Sequence, residues 1–168
     1  MSEMQHELAV ICNLIKIMKE NYPHQIGKTA IQKMVYLLTR EKITNHRYSL
    51  YNYGPYSSDV MRALDICEYY NNIDIEWKKD IGYEISPGKN VDFGNLDPDE
   101  IGKITKTVTK YSSYNALDLS IITTALYVLD NESINSDQEL VDAVIEIKPK
   151  YKNKVEKILR DSNIIPIN

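Results

Sequence analysis

The sequence predicts a mainly α-helical fold carrying a small β-hairpin, and three observations predict it. Apolar residues recur at helical spacing in seven separate segments. Helix-start chemistry stands ahead of three of them, at Asp97-Pro98-Asp99-Glu100, at Asn115 and at Ser136-Asp137-Gln138-Glu139. Apolar–polar alternation replaces the helical period from Ile73 to Ile85.

The first helix, near 4–21, carries Leu8, Ile11, Leu14, Ile15 and Met18 on one stripe and ends before Pro23. The second, near 28–41, buries Ile31, Met34, Val35, Leu37 and Leu38, which leaves Lys28, Gln32 and Arg40 toward water. Residues 47–53 are rich in tyrosine and read as a strand. Tyr53-Gly54-Pro55-Tyr56 then forms an elbow: the residue before a proline avoids the α region, and Pro55 fixes φ and removes a donor. Ser57 or Ser58 caps a third helix near 58–71, with Asp59 in its first turn and Val60, Ala63, Leu64 and Cys67 inward. Strands at 73–78 and 82–86 pair as a hairpin, with Gly82 supplying the turn conformation. Residues 87–96 read as a linker between a domain over 1–86 and a helical subdomain over 97–168. Helices near 98–112, 116–130, 137–147 and 150–161 make up that second half.

Helix, helix, strand, helix and hairpin is the order of a winged helix-turn-helix, here followed by a C-terminal helical extension. In such a module the helix leaving the elbow would enter the major groove of DNA and the hairpin would be the wing. Charge is laid out unevenly along the chain. The net charge is −4, yet residues 21–62 hold six Lys and Arg against two acids, while residues 63–100 hold three against ten. The candidate nucleic-acid contacts are Lys28, Lys33, Arg47, Ser57, Ser58, Arg62, Lys78 and Lys79. Arg62 is the one outward residue of the third helix suited to reading guanine, beside Ser58, Asp65 and Tyr69. Lys148, Lys150, Lys152, Lys154, Lys157 and Arg160 form a second basic run, read as a solvated helix surface or a phosphate-binding strip.

Other chemistry is sparse. His6, His24 and His46 have no ligand-like spacing to one another or to Cys12 and Cys67, so no metal or other cofactor is expected. The two cysteines read as reduced core residues. With 43% hydrophobic and 26% charged residues, no apolar run long enough to span a membrane and no basic leader ahead of an apolar core, a cytoplasmic protein is expected. The 13 tyrosines read as packing residues with hydroxyls at the rim, or as stacking platforms for single-stranded bases.

Gly27-Lys28-Thr29-Ala30-Ile31-Gln32-Lys33-Met34-Val35-Tyr36-Leu37-Leu38, followed by Tyr53-Gly54-Pro55-Tyr56-Ser57, resembles the YwgA-like family of small bacterial and archaeal proteins. The likeness extends through Ala116-Leu117-Asp118-Leu119 and through Glu139-Leu140 to Lys148-Pro149-Lys150. A more distant similarity is to Panacea-type antitoxin domains, through a helix bearing lysine and tyrosine and a later glycine–proline turn. The resemblance implies a winged helix with a helical extension and no established enzyme activity. The expected function is therefore non-enzymatic: a DNA-binding transcriptional regulator acting on double-stranded DNA. The alternative is an antitoxin- or adaptor-like module that binds a protein and has lost base readout.

Overall fold

In the computed structural model, which describes residues 1–51, 54–90 and 94–166, the second helix is the axis of the molecule. Helix α2 (Lys28–Arg40) is buried without a break from Ala30 to Leu38, so it has no water-facing stripe over about two and a half turns. Helix α1 (Glu3–Asn21) starts from a reciprocal capping box between Ser2 and Gln5. It buries Leu8, Ile11, Leu14, Ile15 and Met18. Helix α3 (Ser58–Tyr69) packs on α1 and α2 through Val60, Ala63, Leu64 and Cys67.

The tyrosine-rich segment departs from the expected single strand. Strand β1 (Ser49–Tyr51) pairs antiparallel with β2 (Gly54–Tyr56), placing Leu50 opposite Pro55 and Tyr51 opposite Gly54. The elbow is thus itself a short strand, and the chain turns into α3 only at Ser57. Pro55 is tolerated because β2 has only one neighbouring strand, so the missing N–H interrupts no second ladder. Tyr53 lies outside the described residues.

Strands β3 (Ile73–Lys78) and β4 (Gly82–Pro87) form the expected antiparallel hairpin, with Ile75 opposite Ile85 and Trp77 opposite Tyr83. Asp80 and Gly82 take positive φ in the turn. The stretch after β4 is tied back to the end of α3. Gly88 N–H donates to Asn72 O (2.9 Å), and Asn90 N–H donates to Asn71 O (2.9 Å). A Cβ at Gly88 would stand 2.3 Å from Asn71 O.

The remaining helices are α4 (Pro98–Lys110), α5 (Ala116–Asn131), α6 (Asp137–Ile147) and α7 (Lys152–Asp161), with a 3₁₀ turn at Pro149–Tyr151. Asp97, Asn115 and Ser136 accept from the N3 backbone of α4, α5 and α6, as the sequence predicts. α4 packs on α1, and α5 packs on α2 and β2, so both halves of the chain share one apolar core. Leu129, near the end of α5, is exposed.

Candidate functional site

Two polar residues of α2 hold the elbow from inside the core. Gln32 donates through Nε2 to Ser57 O (2.8 Å) and accepts at Oε1 from Ser57 N–H (3.0 Å). Lys33 donates from Nζ to Pro55 O at 2.8 Å. On the other side, Gly54 has φ +98°, and a Cβ there would meet Thr124 Oγ1 at 2.6 Å and Ser120 O at 3.1 Å. Gln32 is therefore buried rather than solvent-facing. Its amide satisfies the Ser57 N–H and shares the Ser57 carbonyl with Met61 N–H (3.4 Å).

Lys33, expected as a phosphate contact, is only 2% exposed. Burial, and then the positive charge of Lys148, push its ammonium down to about 7. It is a structural clamp, with no route to a phosphate in this fold. Lys148 likewise leaves the basic run, because its side chain is buried and that burial lowers its pKa.

The other candidate contacts are scattered. Ser57 is buried, and no side-chain hydrogen bond caps α3. Ser58 and Arg47 are exposed. Lys28, in the first turn of α2, lies with Nζ 4.1 Å from the Tyr83 ring centroid. Arg62 is exposed but stands 3.6 Å from Asp59 on its own helix. Lys78 and Lys79 are exposed at the far end of the hairpin. Asp65, Glu68 and Tyr69 share the exposed surface of α3 with Arg62.

Between α1 and α3 lies a cleft of about 290 Å³. Leu8, Ala63 and Ile66 supply its apolar lining, and Glu3, Glu7, Asp59 and Arg62 its charges. Glu7 is paired in turn with His46, Oε2 to Nε2 at 2.5 Å. Acids thus outnumber bases in this cleft, which raises the cost of bringing a phosphate to it.

The hairpin has two dissimilar faces. Ile73, Ile75 and Trp77 share one with Tyr83 and Ile85. It is buried at Ile73 and Ile85 and emerges at Trp77 (66% exposed) and Tyr83 (42% exposed), whose rings meet edge to face at 5.0 Å. Ile81, in the adjoining turn, is exposed as well. The opposite face carries Asp74, Glu76, Lys78 and Glu84, with Glu76 directly across from Glu84. Gln25 and Ile26 fix the hairpin to the body: Gln25 Nε2 donates to Ile81 O (2.9 Å) and Tyr83 O (2.8 Å), and Ile85 N–H donates to Ile26 O (2.7 Å).

Several tyrosines take the packing role. Tyr22 OH donates to Tyr114 O (2.7 Å), Tyr36 OH to Asp130 (3.2 Å), and Tyr48 OH meets Thr39 Oγ1 (3.2 Å). Burial raises the pKa of all three phenols. Sequence reasoning missed one constellation, the Cys12 and Cys67 thiols, which lie 3.6 Å apart between α1 and α3. Their only local signal is that both stand on the apolar stripes of helices expected to pack together. Among the described residues, no group of three His, Cys, Asp or Glu side chains is gathered for a metal, and no helix is long and apolar enough to cross a membrane.

No family model, curated protein or solved structure matches this chain.

Proposed function

We propose that this chain is a protein-interaction module on a winged-helix frame, and that its wing and third helix receive a protein rather than duplex DNA. The frame is supported by the element order and by the packing of α3 on both α1 and α2, with β4 against α1 and α2. The observation that carries the function is the hairpin: an exposed Trp77–Tyr83 pair on one face and a Glu76–Glu84 pair on the other. Exposed paired aromatics are a common anchor of protein interfaces. Acidic side chains on a wing oppose a phosphate backbone. The complementary partner surface is basic, with an apolar recess for the two rings. The duplex-binding alternative rests on Arg47, Ser58, Arg62, Lys78 and Lys79, which are exposed, and on the family resemblance.

Affinity capture from cell lysate, followed by binding measurements with the purified captured protein, tests the proposal. Wild type is expected to bind it, and the Trp77→Ala/Tyr83→Ala double variant to bind about tenfold or more weakly. Equal binding by both proteins would overturn the assignment of this face.

A further inference from the structure

Cys12 on α1 and Cys67 on α3 are the one pair of thiols in the chain, and their sulfurs are already in contact at 3.6 Å. A disulfide needs about 2.05 Å, so bonding requires a closure of roughly 1.5 Å between two packed helices. Cys12 is 8% exposed and Cys67 0%, so an oxidant meets Cys12 first. Leu8 precedes Cys12 by four residues and Ala63 precedes Cys67 by four. Both line the α1–α3 cleft, so the dithiol sits one helical turn beyond that opening.

We propose that Cys12 and Cys67 are an oxidative modification site, a dithiol that a small peroxide converts to an intramolecular disulfide joining the two walls of the cleft. The Cys12 thiolate attacks one peroxide oxygen, breaking the O–O bond to give a sulfenic acid and hydroxide, which takes up the released proton as water. The Cys67 sulfur then attacks the Cys12 sulfur, the S–O bond breaks, and a second water leaves. Two thiols and one peroxide become one disulfide and two waters, each sulfur losing one electron to the peroxide. The hydrogen bond between the two thiols lowers the Cys12 pKa, while that same pairing, with burial, raises that of Cys67, which suits Cys12 as attacker and Cys67 as resolving thiol. The product fixes α3 on α1, and with it the acidic face beside Arg62.

The test is titration of the reduced, full-length protein with hydrogen peroxide. Free thiols should fall from two to none, the intact mass should drop by two hydrogens, and a Cys12–Cys67 linked peptide should appear in a chain that stays monomeric on a non-reducing gel. Dithiothreitol should reverse all three changes. The melting midpoint of the oxidised protein should rise by roughly 10 °C, because the bond closes a long loop in the unfolded chain. Under the same dose Cys67→Ser should hold Cys12 as a dimedone-reactive sulfenic acid, and Cys12→Ser should keep its remaining thiol. Thiols that survive in folded wild type at doses that oxidise the urea-unfolded chain would overturn the proposal. So would a product linked between chains. Both results are read on wild type, so they stand even where a variant fails to fold.

Discussion

Replacing Lys33 with methionine removes the buried ammonium while keeping most of the side-chain volume. In the folded chain Lys33 titrates at about 7, against an ordinary value of 10.5. Between those values the unfolded chain holds a proton that the folded chain has released, so unfolding free energy rises with pH. Below pH 7 both forms are protonated, and the destabilisation from burying the charge is present in full. Integrated from pH 7 to pH 9, the linkage amounts to about 2 kcal/mol in favour of the wild-type fold. Lys33→Met should lose that gain, keeping whatever slope comes from Lys148, whose pKa is also lowered by burial. The substitution also leaves Pro55 O without its donor, a roughly pH-independent cost of about 1–3 kcal/mol. Urea unfolding of both proteins at pH 7, 8 and 9 measures the difference. Parallel profiles would refute the claim that the ammonium is held in the core.

Two further outcomes concern the same elbow. Gly54→Ala combines a positive φ with a Cβ 2.6 Å from Thr124 Oγ1 and should cost on the order of 2–4 kcal/mol, whereas Gly102→Ala in α4, whose added Cβ meets nothing within 4 Å, should gain about 0.5–1 kcal/mol; thermal melts of the two variants compare them directly. Gln32→Ala should cost on the order of 1–3 kcal/mol by taking the acceptor from the buried Ser57 N–H and leaving Ser57 O only its longer bond from Met61 N–H, and amide exchange at Ser57 should accelerate with it.

Most of the architecture is legible in the sequence because it is written locally. Asp97, Asn115 and Ser136 announce helices through caps that need only three residues of context. Alternation from Ile73 to Ile85 gives the hairpin its register, since a slip of one strand by one residue would turn Ile85 to the face opposite Ile75. What escapes is set by contacts between distant segments. Helical periodicity marks Gln32 and Lys33 as polar, and polar residues are expected in water. Their burial depends on a carbonyl and a backbone pair more than twenty positions later, at Pro55 and Ser57. Gly54 reads as a turn residue, yet its lack of a side chain is required by Thr124 and Ser120 on α5. The Cys12–Cys67 contact spans 55 positions and carries no spacing signature. On the proposed face, the sequence locates the acids of the hairpin but not the exposure of Trp77 and Tyr83, because alternation alone assigns Trp77 to the buried side.

Electrophoretic mobility of a pool of genomic duplex fragments, measured with the full chain at low and moderate salt, tests the interaction-module account most directly. The account predicts no enriched fragment at either salt, and no change in the weak background when Arg62, Arg47 and Lys28 are neutralised together. A selected fragment would contradict it, above all one whose binding falls steeply with salt and whose log–log slope flattens by roughly two to three units in the triple variant, about 0.9 for each phosphate no longer neutralised.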